Sequence, residues 1–484
     1  MTNLRFGVAL TVFGGVAVLA QAPAPKLASS TGIPGLIVSG LVFTAADVNK
    51  DGVVTREELE AAVAKWFASA DTANAGSVTR DQLAPALTAA LPMQSLAAMM
   101  APAGRGGQPQ TPEPNTQQAM MAALPASAPA KAVHPRKVLV LGRAAGFVHS
   151  SIPLAAKTID ALGSKTGAWT TTISFDAADI NADNLKQYDA IFLASTTGAF
   201  LDDPKDPSAT AARRQALLGF VRGGKGIAGI HAATDSYHQN APAPLAEGRG
   251  ATGRGAGGGN PFANLAPGPT LAEAMLTQGD KNKDGKLDKA EVKAVADAWF
   301  DAIDTKKTGR LLSSDFALFA LLIPNSPDAS LPQGPDTQVG TWPDFNTLIG
   351  GYFKFHWLDP QLITVKIDDP KSPLTAMFHG QEFDVRDEIY TMGIKSFSRG
   401  NVHVLTSIDD GRMSAEDKAL EANPRADHDY ALSWIHREGQ GRVFYEALGH
   451  SERIYTNKAI LEHLLAGMQY ALGDLKADDA PSRK

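Results

Sequence analysis

Apolar runs and their spacing divide the chain before any single residue is considered. Residues 137–141 form a short apolar run stopped by Gly142, the pattern of a buried strand. A helical pattern follows over 152–162, then strands over 170–175 and 188–194, a helix around 211–223 and a strand at 226–230. The alternation resumes after about residue 340, with strands near 363–367, 402–407 and 443–448 and a closing helix over 459–471. Strands alternating with helices predict an α/β fold, a doubly wound parallel sheet, whose ligands bind beyond the carboxyl ends of the strands. Elsewhere the period is helical: Leu59, Val63, Trp66 and Phe67 share one helix face, as do Val292, Ala296, Trp299 and Phe300. These two faces belong to a repeat in which residues 44–90 recur at 277–323, gapless, with an offset of 233. The second copy therefore interrupts the sheet domain.

Each copy opens on a twelve-residue loop, 47–58 or 280–291. Oxygen-bearing side chains stand at loop positions 1, 3, 5 and 9, as Asp47, Asn49, Asp51 and Thr55 in one and Asp280, Asn282, Asp284 and Asp288 in the other. Position 7 supplies a backbone carbonyl (Val53, Lys286), a Glu able to bind through both oxygens closes position 12 (Glu58, Glu291), and Gly52 and Gly285 allow the turn at position 6. A hard cation taking six to eight oxygens matches this donor set. Both loops resemble EF-hands. In each copy a second loop follows (71–82, 304–315) that keeps the leading Asp and central Gly but has Ala73, Ala75 and Gln82, or Lys306 and Thr308, at ligand positions. Two EF-hand pairs are expected, one per copy, each with one calcium-binding and one empty loop, hence two Ca²⁺. A structural role for the ions is favoured over a sensor role.

The 484 residues carry 45 Lys and Arg against 51 Asp and Glu, a net charge of −6 that offers no general attraction for nucleic acid or an acidic membrane. Gly and Pro together make 75 residues, and they bunch; the stretches at 96–133 and 241–269 read as linkers. Arg5 followed by an apolar run of about 15 residues and Ala20-Gln21-Ala22 reads as a signal peptide, 1–22, too short to span a bilayer; a retained anchor is the alternative. The expected address is the periplasm or the cell exterior, with no membrane span in the mature chain. The remaining expected boundaries are hand pairs at 36–95 and 270–325 and a sheet domain split into 134–240 and 340–475. There is no Cys, which excludes disulfides, thiolate metal sites and a thiol nucleophile.

The segments Gly146-Phe-Val-His149, Gly229-Ile-His231-Ala-Ala-Thr-Asp235, Gly350-Gly-Tyr-Phe-Lys-Phe-His356, Asp387-Glu388-Ile-Tyr390 and Gly441 to His450 together resemble the ThuA-like (trehalose utilisation) family. That resemblance implies a class I glutamine amidotransferase-like, flavodoxin-like fold and a carbohydrate as small-molecule partner; it says nothing of protein partners. Amidotransferases of that fold place a Cys where His231 stands, so glutamine hydrolysis through a thiolate is excluded. The expected catalytic set is His231, His450, Glu452, Asp235, His149, His356, Asp387, Glu388 and Tyr390. Two chemistries stay open: proton transfer beside a carbonyl of a keto-sugar or disaccharide, as in an isomerase, epimerase, lyase or hydrolase, and a second divalent metal held by three of the four histidines. A calcium-dependent binding module without catalysis is the third possibility. Trp342, Trp357 and Trp434 are read as core in preference to sugar platforms.

Overall fold

The computed structural model describes residues 25–92, 108–237, 266–323 and 340–482. The expected signal peptide and most of the 241–269 stretch lie outside the described residues. Thirteen strands occur among them: β1 (Val53–Thr55), β2 (Ser77–Thr79), β3 (Lys137–Leu141), β4 (Thr170–Ser174), β5 (Ala190–Ala194), β6 (Gly226–Ile230), β7 (Lys286–Asp288), β8 (Arg310–Leu312), β9 (Phe353–Ile367), β10 (Phe383–Met392), β11 (His403–Ile408), β12 (Ala431–Glu438) and β13 (Gly441–Glu446).

Nine strands make one sheet in the order β10-β9-β11-β12-β13-β6-β5-β3-β4. From β13 to β4 the pairing is parallel, with helices Ile152–Thr166, Pro207–Arg222 and Lys458–Leu472 as crossovers and cover. This is the anticipated doubly wound half. Its central strands β5 and β6 are apolar and buried at every position because helices shield both faces, whereas the edge strand β4 is Thr-rich and largely unburied. The other half, β9 to β12, is antiparallel. The strands expected at 363–367 and 402–407 belong to this antiparallel half, and β9 is 15 residues long. Pro360 splits its apolar pattern, so the sequence exposes only its second half as a strand.

The hand helices Ile33–Ala46, Arg56–Ala70, Arg80–Ala90, Pro267–Gly279 and Lys289–Ile303 close around one core that takes Trp66 and Phe67 from the first copy and Trp299, Phe300, Phe316 and Phe319 from the second. Two hand pairs are present, but their membership differs from the expectation. The short ladder that unites a pair forms between copies: β1 of loop 47–58 pairs with β8 of loop 304–315 (Val54 opposite Leu311), and β2 of loop 71–82 with β7 of loop 280–291 (Val78 opposite Leu287). Each ligand-bearing loop thus partners the empty loop of the other copy. The helices Arg80–Ala90 and Pro267–Gly279 meet closely enough that a Cβ on Gly268 would lie 2.1 Å from Thr88 Oγ1, so only glycine fits there.

The expected linker 96–133 needs correction over its second part. Residues 114–123 are helical, started by Pro114 and capped by Glu113, whose carboxylate accepts from the Thr116 amide. Met120 is wholly buried in the sheet-domain core, and Gln469 holds both polar groups of Ala130. The Ala- and Gln-rich composition hid a helix that tertiary packing stabilises. Among the described residues no helix is long and apolar enough to cross a membrane.

Candidate functional site

All four hand loops share one backbone course: position 4 (Lys50, Asn74, Lys283, Lys307) and the position 6 glycine have positive φ. In the two ligand-bearing loops the position 1 carboxylate braces the turn, Asp47 accepting from the amides of Asp51 and Gly52 at 3.1 Å and Asp280 from those of Asp284 and Gly285 at 3.1 and 2.9 Å. Glu58 and Glu291 each reach back to the position 9 amide as a helix-capping box, which places the position 12 carboxylate beside the loop's other oxygens. Four carboxylate or amide side chains, a hydroxyl or fourth carboxylate at position 9 and the position 7 carbonyl form a hard-oxygen set that fits Ca²⁺. In loop 304–315 the Lys306 ammonium pairs with Asp315 at 2.9 Å, supplying the positive charge from the chain itself.

The histidines gather at the carboxyl ends of the parallel strands. His231 follows β6 directly and has a left-handed backbone (φ 47°), the sharp turn that lifts a side chain off the strand end into the crevice. Tyr445 donates to its carbonyl at 2.6 Å and holds that turn. His149 stands in the loop after β3, His450 in the loop after β13, and His356 on β9 opposite Tyr390 of β10. Glu388 reaches them because the β9–β10 register shifts between Asp387 and Ile389; a bulge re-aims the side chain that sits on it.

One carboxylate then faces three imidazoles. Glu388 Oε2 lies 3.3 Å from His231 Nε2 and 3.1 Å from His450 Nδ1, and Oε1 lies 3.1 Å from His356 Nδ1. The His149 ring is 4.9 Å from that of His231 and 5.2 Å from that of His450. Ligand atoms of His149, His231, Glu388 and His450 all fall within 4.8 Å of one another, and small side-chain shifts would bring them onto a sphere of about 2.0–2.2 Å radius around one ion. His149 Nδ1, His231 Nε2, His356 Nδ1 and His450 Nδ1 are buried atoms without a well-formed hydrogen bond.

The charge states separate the four rings. Burial and the neighbouring imidazoles hold His149 well below its ordinary range, and burial lowers His231 against the pull of Glu388. Both are neutral near pH 7. His231 Nδ1 donates to the Ala447 carbonyl at 3.0 Å, so in the neutral ring Nε2 turns a lone pair toward a carboxylate oxygen at 3.3 Å. Two acceptors facing each other repel unless a cation stands between them. His450 pays the desolvation of burial, but Glu388, Asp359 and Asp387 outweigh it and push it up to about 10; His356 is raised, again by Glu388 against burial. Glu388 itself stays well below the carboxylate range despite burial, because His356, His450 and His231 favour its charge.

The other expected residues divide. Burial pushes partly buried Asp235 up to about 7, beside His356 and Glu388. Tyr390 packs its ring 4.2 Å from that of His231, and burial next to Glu388 keeps it a protonated donor. Asp387 corrects the expectation. It accepts from the amides of Gly449, His450 and Ser451 at 2.6, 3.2 and 2.8 Å, so its carboxylate is engaged in fixing the His450 loop. Burial and Asp359 push its carboxyl up to about 7, against those three donors. Glu452 is placed on the same loop, its carbonyl accepting from the Tyr455 amide, and the carboxylate that orients the imidazoles is Glu388 instead. Trp342, Trp357 and Trp434 are core residues. Sequence reasoning missed Phe147, 65% exposed with its ring 4.8 Å from that of His149; the signal was an aromatic two residues before a candidate histidine.

A family model described as trehalose utilisation, ThuA, matches residues 137–254 and 331–471, and an EF-hand model matches 41–64 and 272–296. No curated protein matches the chain. Among solved structures, a protein described as ThuA-like from Bacteroides uniformis ATCC 8492 is 16% identical, with 73% of this chain and 98% of that one covered and a TM-score of 0.39. A second, from Parabacteroides merdae ATCC 43184, is 12% identical, with 71% and 93% covered and a TM-score of 0.35. A beta-galactosidase from Bacillus circulans sp. alkalophilus is 8% identical, with 71% and 32% covered and a TM-score of 0.30.

Proposed function

The chain belongs to the ThuA, or trehalose utilisation, family and carries calcium-binding EF-hands, and from that premise we propose that its sheet domain is a divalent-metal enzyme acting on a carbonyl-bearing sugar outside the cytosol. The observation that carries the reading is the convergence of the buried imidazoles of His149, His231 and His450 on the Glu388 carboxylate. Two neutral imidazoles and a carboxylate whose ligand atoms lie within 4.8 Å of one another form a donor set of the kind that suits Zn, Fe, Ni or Cu. A cation bound there would polarise a carbonyl or a water oxygen.

The chain's own groups supply the rest. His356, paired with Glu388 at 3.1 Å, stands beside the cluster as a proton donor, and Asp235, with a carboxyl pushed up to about 7, is suited to proton exchange near neutrality. Tyr390 offers a phenol O–H. Phe147 presents an exposed aromatic face at the rim, suited to the apolar face of a sugar ring. Without a metal, the same His and carboxylate groups remain an acid–base set. Calcium in the hands is proposed as structural support, and the first 22 residues as a signal peptide.

The test measures bound metal, then chemistry. Elemental analysis after exhaustive dialysis should find one non-calcium metal per chain, absent from a Glu388→Ala, His450→Ala double variant. NMR of keto-disaccharides in D₂O should then show deuterium uptake or product with the metal-loaded protein, lost on His231→Ala. A wild-type protein that neither retains nor takes up zinc, cobalt, nickel or copper sinks the metal reading; metal binding without turnover of any keto-sugar sinks the substrate reading.

A further inference from the structure

The two ligand-bearing hand loops sit in different surroundings. Around loop 280–291 the structure is open: Asn282, Asp284 and Lys286 are exposed, and a Cβ on Gly285 would meet nothing within 4 Å. Loop 47–58 is docked. Asn115 Nδ2 donates to the Asp51 carbonyl at 2.8 Å, and a Cβ on Gly52 would lie 3.2 Å from Glu113 Oε1. Glu113 and Asn115 begin the helix Pro114–Ala123, which packs against both Ile152–Thr166, the helix entered three residues after His149, and Ile454–Thr456, the turn that follows His450.

A second connection leaves the same loop on its other side. Its strand β1 is laddered to β8, with Val53 opposite Leu312. Two residues beyond β8, the Ser314 carbonyl accepts from Arg453 Nη1, while Arg453 Nη2 pairs with Asp359. Lys306 of the same hand reaches Thr456 Oγ1 at 3.4 Å. Arg453 is three residues from His450, and the amides of residues 449–451 are pinned to Asp387 from the sheet side. The segment that carries His450 is thus held by the sheet at its start and by the hand module at its end.

We propose that calcium in loop 47–58, and not in loop 280–291, fixes the His450 segment, with Arg453 and Asn115 as the positioning residues. The oxygens of loop 47–58 surround the point where the ion binds, and the carbonyl of one of its ligand residues is the one Asn115 grips. Without the ion, the acidic side chains repel and β1 loses its anchor. With it, β1, β8, Ser314 and the helix Pro114–Ala123 form one rigid face against residues 453–456. Coupling between two sites runs through such contiguous contacts and is reciprocal. The inference stands apart from the identity of any metal at the imidazoles, so it can fail while the proposed function holds, and the reverse.

Amide hydrogen exchange of the full chain, in calcium and in chelator, tests it without need of a substrate. Calcium should slow exchange in peptides spanning 449–457 by about tenfold, inside the 5–150-fold range of ordinary coupling. The effect should vanish in Glu58→Gln and persist in Glu291→Gln. Arg453→Met should keep calcium at the first loop by calorimetry yet lose most of the calcium-dependent protection, with unchanged far-ultraviolet circular dichroism. Equal protection in wild type and Glu58→Gln, loss in Glu291→Gln alone, full protection in Arg453→Met, or no response of 449–457 to calcium overturns the proposal.

Discussion

Glu388 answers three imidazoles at 3.1 to 3.3 Å; its charge outweighs burial at His450 and His356 and is outweighed by burial at His231. In metal-free protein, Glu388→Gln removes the largest influence that raises His450, and the His450 ring should titrate well below about 10, toward its ordinary value of about 6.5. Histidine-selective NMR titration reads this directly; an unmoved His450 would contradict the assignment. The sign for stability follows from linkage. A histidine whose folded value is raised contributes fully below about 6.5 and loses that contribution as pH climbs to about 10. Thermal stability of the metal-free protein should therefore fall over that interval, and less steeply in Glu388→Gln. A divalent metal needs the deprotonated ring, so zinc should bind more tightly at pH 8 than at pH 6, with proton release. Much of this site was legible in the sequence, since His149, His231, His356, His450 and Glu388 all stand in short recognisable motifs, three in loops or turns after strands and two within β9 and β10. The division of labour between Asp387 and Glu388 was not: two adjacent acids look alike in a string, and only the strand's alternation and the bulge at Glu388 send one to the amides of 449–451 and the other to the imidazoles.

The hand loops were legible to the residue, because Ca²⁺ demands oxygens at set positions of a twelve-residue turn. Their partners were not. The exit helices of the two copies carry near-identical apolar faces, so nothing local says which short strand pairs with which; the shared core decides it, bringing Trp66 and Trp299 together in one cluster. Strand β10 stayed hidden for a related reason, since Asp384, Arg386, Asp387 and Glu388 break the apolar period that marks a strand. The shared core has a measurable result. Trp299→Ala removes a wholly buried ring that also donates to Gln278 at 2.7 Å, and should cost the hand module about 3–5 kcal/mol. Calcium affinity should drop at both loops, not only at the adjacent one. Calorimetry should count two sites in the wild type, one each in Glu58→Gln and Glu291→Gln; four sites, or none, would refute the ligand assignment.

Two cores, one under the sheet and one inside the hands, predict two melting transitions. Calcium at about a hundred times its dissociation constant adds about 2.7 kcal/mol per site to the state that binds it, so chelation should lower one transition markedly and shift the other less. A single calcium-insensitive melt in scanning calorimetry would show that the hands contribute no separate stability. The cross-copy ladders also have a bearing on synthesis. A ribosome adding 5–20 residues per second releases the second copy roughly 10–50 s after the first, since the two begin 233 residues apart. Throughout that interval the nascent chain shows an apolar helix face, Val63, Trp66 and Phe67, whose core partners from the second copy do not yet exist. The half-sheet β3 to β6 emerges in the same interval and must likewise wait for β13. The hands can close once residue 323 has emerged, but the sheet waits for residues 441–446, so a chaperone that meets the chain late in synthesis meets a finished hand module beside a sheet still open.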